Sequence, residues 1–154
     1  MAAAKKKSSA KRTTKAKSAG SRGSASDGGV INLPKKIALA GGGYCLFAPQ
    51  YPRRITEPGF ADETCISSAV VPSVYFLSFL NGGRKMDTVC AGFEMVDGKA
   101  VLKHVAGKIT ITETRFITQD DRFVSELELK NGSNEELELH VVMWTTTDPE
   151  GEPV

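Results

Sequence analysis

From residue 30 onward, apolar and polar residues alternate along much of the chain with a period of two. The pattern is clearest between residues 108 and 147, which read as three consecutive runs, 108–118, 122–131 and 135–147. In the second run Phe123, Ser125, Leu127 and Leu129 share one face, with Val124, Glu126, Glu128 and Lys130 on the other. In the third, Leu137, Leu139, Val141 and Met143 alternate with Glu138, His140, Val142 and Trp144. Successive side chains of a strand point to opposite faces, so this period predicts strands of a sheet with one wetter face. Gln119-Asp120-Asp121 and Asn131-Gly132-Ser133-Asn134 separate the runs and predict two tight turns.

The remaining strands follow from shorter signals. Residues 73–80 are almost continuously apolar, which predicts a central strand buried on both faces. Pro72 before them and Asn81-Gly82-Gly83 after them disfavour a helix there. Residues 86–96 follow, with Val89, Ala91, Phe93 and Met95 expected on one face. Asp97-Gly98 predicts a hairpin turn, residues 100–105 return, and Gly107 ends that strand. Earlier, residues 44–48 read as a buried strand and 63–67 as a short one. Val30-Ile31-Asn32-Leu33 reads as an edge strand before Pro34, continued by residues 35–40. Gly41-Gly42-Gly43 reads as a flexible hinge, and residues 49–62 as a long loop holding Arg53-Arg54. Eight to ten short strands at roughly ten-residue spacing, with no convincing helix, predict an all-β antiparallel sandwich or barrel, a jelly roll included.

Charge divides the chain in two. Residues 1–29 hold eight Lys/Arg and one acid, a balance of +7, and residues 30–154 hold twelve Lys/Arg and seventeen acids, a balance of −5. Residues 1–29 contain neither an aromatic nor a branched aliphatic residue. Nothing there can be buried to offset the entropy of ordering, which predicts an arm without stable structure of its own. The predicted organisation is a basic arm at 1–29, a β-domain at 30–147 and an acidic polar tail at 148–154. Lys5, Lys6, Lys7, Lys11, Arg12, Lys15, Lys17 and Arg22 of the arm can bind a polyanion such as nucleic acid by releasing condensed counterions. No aromatics interleave them, so base stacking is not expected. The same charge run also suits a solubilising tail or a nuclear-import signal.

Other chemistry is thin in the sequence. His104 and His140 are the two histidines, they lie in different segments, and no nucleophile or metal-ligand pattern accompanies them. His140, on a strand with Glu136 and Glu138 just before it, is expected to be a surface imidazole. The pairs Glu126/Glu128 and Glu136/Glu138 read as a solvated outer face that guards against edge aggregation. The glycines at 41–43 lack the Lys-Ser/Thr of a phosphate loop. Cys45, Cys65 and Cys90 are widely spaced and odd in number, and are expected to be reduced thiols rather than a zinc site or a disulfide framework. These readings predict neither enzyme, metal nor cofactor. They also predict no membrane span and no signal peptide, so the expected site is a reducing compartment, and the sequon at Asn131 is expected to be only a turn. Tyr44, Phe47, Tyr51, Phe60, Val70, Val71, Tyr75 and Trp144 are more apolar material than one small sandwich needs, which suggests an assembly contact.

A Lys/Arg-rich arm over residues 5–22 followed by a small β-domain resembles, in layout, the small structural proteins of viruses, either coat subunits or capsid-decorating ones. That resemblance implies a homo-oligomer or a contact with other capsid subunits, an arm against nucleic acid or neighbouring subunits, and a place in the virion. The alternative is a cellular nucleic-acid-associated module of the cytoplasm, nucleus or nucleoid, tethered by its basic tail.

Overall fold

The computed structural model describes Leu33 and residues 37–145. The basic arm at 1–29, residues 30–32 of the first apolar cluster and the acidic tail lie outside the described residues. Along the described chain run β1 (Leu39–Ala40), β2 (Cys45–Phe47), β3 (Gly59–Phe60), β4 (Thr64–Ile66), β5 (Ala69–Val71) and β6 (Tyr75–Asn81). Then come β7 (Arg84–Lys85), β8 (Val89–Val96), β9 (Lys99–Ala106), β10 (Ile109–Ile117), β11 (Phe123–Asn131) and β12 (Leu139–Thr145). No helix occurs among the described residues. The strands form three antiparallel sheets, ordered β1-β2-β4-β5, β11-β10-β9-β8 and β12-β6-β3, with β7 also paired to β6. The fold is all-β and sandwich-like. The largest sheet is a meander of consecutive hairpins, not the interleaved order of a jelly roll.

The turns do what their residues allow. Asp97 and Gly98 both take positive φ, at 49° and 77°, in the two-residue link from β8 to β9. Two successive positive φ values give the mirror-image turn whose twist matches a hairpin. The link from β10 to β11 closes with Thr118 N–H donating to the Arg122 carbonyl at 3.0 Å.

Alternation along β9 and β10 sends Ala100, Leu102, Ile109, Ile111 and Ile117 inward. They meet Leu39 and Phe47 of the first sheet and Phe60, Tyr75 and Phe79 of the third. Phe60 is the hub, with the rings of Phe47, Tyr75 and Phe123 edge-on at 5.2, 5.6 and 5.1 Å. Such edge-to-face pairs add to the gain from burying their area.

Four details depart from the sequence-based expectation. The run 135–147 does not pair with the run before it: β12 leaves its neighbour in sequence and pairs with β6 along seven residues. Periodicity assigns faces but not partners, and the inward side of β12 is satisfied by Leu139 packing near Phe79. In β8 a bulge between Cys90 and Gly92 shifts the alternation, so Cys90, Phe93 and Met95 pack on the core while Val89 is exposed. One extra residue in one strand moves everything before it to the opposite face. The segment 49–62 contains a strand, β3, because Gly59 (φ 93°) brings its backbone close against Tyr75 and Phe76. The apolar strand β6 is central in its sheet, yet its Phe76 and Leu80 face is only half-buried.

Candidate functional site

Charged residues occupy the inward face of the main sheet. On β10 the inward positions read Ile109, Ile111, Glu113, Arg115, Ile117, and on β9 His104 follows Leu102. Glu113, His104 and Arg115 are 0%, 1% and 1% exposed. The Glu113 carboxylate takes hydrogen bonds from Gly59 N–H (2.8 Å) and the Ser125 hydroxyl (2.8 Å) at Oε1, and from Arg115 Nη2 (2.9 Å) at Oε2. His104 Nε2 lies 3.1 Å from Oε2. An ionised carboxylate only accepts, so this nitrogen carries the hydrogen. Burial pushes the Glu113 pKa up, but the hydrogen bond of His104, the Arg115 charge and hydrogen bonds, and the Ser125 hydroxyl outweigh it and hold it at about 2. Arg115 also donates through Nη1 to the Ile55 carbonyl (3.0 Å) and through Nη2 to that of Glu57. Tyr75 and Ser125 share a hydrogen bond of 2.9 Å. The cluster thus ties β3, the segment before it and β6 to the main sheet, while His104 Nδ1 and Arg115 Nε are buried without a hydrogen-bond partner among the described residues.

Beside it opens a cleft of about 350 Å³ lined by Thr56, Glu57, Pro58, Thr88, Val89 and Cys90. Cys90 pairs with His104 across the ladder. Burial pushes its thiol pKa up and its S–H points to the Gly92 carbonyl at 3.3 Å, so it is protonated at neutral pH and a poor nucleophile. Cys45 is buried and Cys65 half-buried, and none of the three is in a disulfide. No group of three metal-ligating side chains occurs among the described residues.

The triple glycine is a clasp rather than a hinge. Gly43, Tyr44 and Cys45 N–H groups converge on Asp121 Oδ1 at 3.3, 3.2 and 3.0 Å. A Cβ on Gly42 would lie 1.8 Å from the Gln119 carbonyl oxygen, and one on Gly41 2.6 Å from Ile117 Cγ2. Glycine is required because the two backbones touch. Desolvation pushes the Asp121 pKa up, and the backbone N–H donors of Gly43, Tyr44, Cys45 and Gly42 reverse that and hold it below the usual carboxylate range.

The outer rim of the third sheet is different in kind. Among the described residues β12 is the outermost strand of its sheet. Val141 and Met143, on the side of Leu139, are 44% and 60% exposed, and Trp144, on the opposite face, is 50% exposed. Trp144 stacks on Phe76 at 6.1 Å and donates Nε1–H to Ser78 at 3.1 Å, and the Arg54 guanidinium covers Phe76 at 5.6 Å. Phe76, Ser78, Leu80, Lys85 and Trp144 line a shallow, mostly apolar cleft of about 280 Å³. Other sheet margins are guarded: β1, β3, β5 and β7 have two or three residues, β8 is bulged, and β11 carries exposed Glu126, Glu128 and Lys130. β12 has no Pro, Lys, Gly or acid and no bulge in its seven pairs.

The arm residues Lys5, Lys6, Lys7, Lys11, Arg12, Lys15, Lys17 and Arg22 lie outside the described residues. His140 is a surface imidazole beside Glu138 at 3.1 Å, and Glu126, Glu128, Glu136 and Glu138 are exposed. Of the apolar residues expected in excess, Phe47, Phe60 and Tyr75 belong to the core, Val71 is half-buried, and Tyr44, Tyr51, Val70 and Trp144 are exposed. The sequence pattern did not single out His104, Glu113 and Arg115 as a unit. The available signal was their parity, since each shares the inward face with isoleucines or Leu102. No helix among the described residues is long and apolar enough to cross a membrane. Comparison with known proteins finds no matching family model, no matching curated protein and no matching solved structure.

Proposed function

We propose that this protein is a structural subunit that works by assembling, a small capsid or capsid-decorating protein of a virus whose basic arm contacts nucleic acid or neighbouring subunits. The observation that carries this reading is the exposed apolar surface of Val141, Met143 and Trp144 on β12, joined in one chain to an arm of charge +7. Contiguous apolar surface left exposed on a monomer is usually covered by a partner. The layout of arm and β-domain supports the viral form of the proposal by resemblance.

Electron microscopy of the purified full chain, with and without added nucleic acid, tests it. Regular particles or defined oligomers are the expected result, and a chain that stays monomeric at high concentration under all conditions refutes it. Nucleic-acid binding by the full chain should weaken steeply with salt, by about 0.9 log unit per log unit of salt for each phosphate the arm neutralises, and removing residues 1–29 should abolish it. Specific, weakly salt-dependent binding by the arm-less domain would instead favour the cellular binding module.

A further inference from the structure

We propose that Cys90 and His104 form a two-ligand site for Cu(I), held between β8 and β9 beside the cleft that Thr56, Pro58 and Thr88 line. The site lies inside the domain, so it stands or falls independently of the assembly reading.

Cys90 and His104 are direct partners across the β8–β9 ladder, and ladder partners share a face. The bulge between Cys90 and Gly92 turns the thiol to the core face that His104 occupies. His104 is 1% exposed, its Nε2 is given to Glu113, and its Nδ1 is buried with no hydrogen-bond partner. With the hydrogen on Nε2, Nδ1 carries a lone pair. The two nitrogens of an imidazole face nearly opposite ways. The Nδ1 lone pair is therefore turned from β10, which holds Glu113, towards β8, which holds Cys90. A buried acceptor left without a partner is costly, and an ion bound to it recovers that cost. The Glu113 carboxylate on the far nitrogen is the outer support that a metal-binding histidine takes: it fixes the tautomer and raises the basicity of the ligating nitrogen.

Ligand chemistry and charge select the ion. A thiolate sulfur with an imidazole nitrogen is a soft pair that favours copper. No group of three His, Cys, Asp or Glu side chains able to hold a metal occurs among the described residues, so zinc lacks the shell it takes, whereas Cu(I) is stable with two ligands in a line. Metal–sulfur and metal–nitrogen bonds of about 2.3 and 2.0 Å set the two donors roughly 4 Å apart, which suits cross-strand neighbours with Cβ atoms about 4.5–5.5 Å apart. Binding replaces the thiol proton: the S–H bond breaks, an S–Cu bond forms and one H+ leaves by the cleft that Cys90 borders. One positive charge replaces another, so the balance with buried Glu113 and Arg115 is unchanged, while a divalent ion would leave a buried charge uncompensated. Cys45 and Cys65 have no histidine across their ladders: Cys45 faces Ile66, and Cys65 faces Leu46 and Val70.

Anaerobic titration of the full chain with Cu(I), against a chromophoric Cu(I) chelator, tests the proposal. One tightly held ion per chain is expected. Cys90→Ser, at a half-buried position, should stay folded, as circular dichroism will show, and should hold the ion more weakly by over roughly 100-fold, since losing even an outer support of a metal ligand costs about 10–100-fold. Cys65→Ser should hold it as wild type does. Nitrogen-15 spectra of the histidine rings supply a readout that a merely structural role would not move: on adding Cu(I) the His104 Nδ1 resonance should shift and that of His140 should not. A chain that takes up no Cu(I), a folded Cys90→Ser variant that binds as tightly as wild type, a Cys65→Ser variant that loses the ion, or binding that leaves the His104 Nδ1 resonance in place each overturns the site.

Discussion

Replacing Glu113 by Gln removes one charge from the centre of the molecule while keeping its shape. In the folded chain the carboxyl pKa is about 2, against an ordinary value of 4.5. A difference of about 2.5 units corresponds to about 3 kcal/mol of folding free energy at neutral pH, at 1.36 kcal/mol per unit. The variant also leaves Arg115, 1% exposed, without its ionic partner, and breaking a buried pair costs about 3–5 kcal/mol. The two figures describe the same change from two sides and are not summed. The pKa is depressed on folding, so the stabilisation is fully present above the unfolded value and disappears as pH falls from about 4.5 towards 2. Urea denaturation followed by circular dichroism, at several pH values between 7 and 2, is the assay. At pH 7 Glu113→Gln should be less stable by about 3 kcal/mol, and the gap to wild type should narrow below pH 4.5 as wild-type Glu113 takes up its proton. Equal stability at pH 7, or a gap independent of pH, would show that the carboxylate does not hold the sheets together.

Two further outcomes rest on local geometry. Gly42→Ala should destabilise by about 2–4 kcal/mol because its Cβ has no room against the Gln119 carbonyl, whereas Gly43→Ala, with open space around it, should lie within about 0.5 kcal/mol of wild type. Thermal melts of the pair check this, and equal effects would restore the hinge reading. Tyr75→Phe deletes only the hydroxyl paired with Ser125 and should cost about 1 kcal/mol in the same denaturation assay; unchanged stability would show that this link between β6 and β11 is unimportant.

The amino-acid sequence alone settled the class of fold and most of the local elements, because a period of two and turn residues such as Asp97-Gly98 act over a few neighbouring residues. It equally settled the charge division between residues 1–29 and the rest, which composition states without any fold. Tertiary structure alone decided which strands meet. β12 pairs with β6 from more than fifty residues away, since alternation assigns a face and leaves the partner open. It also decided that Glu113, Arg115 and His104 converge, through a register that sets Glu113 opposite Leu102 and beside the His104 row. The bulge at Cys90 and the close approach of Gly42 to Gln119 belong to the same class. Each depends on atoms brought together by folding and distant in the chain, and so does the exposure of β12. Its Val141, Met143 and Trp144 read like those of any alternating strand, and only the folded chain decides that these apolar side chains stay exposed, because burial depends on what packs against a face and not on its period.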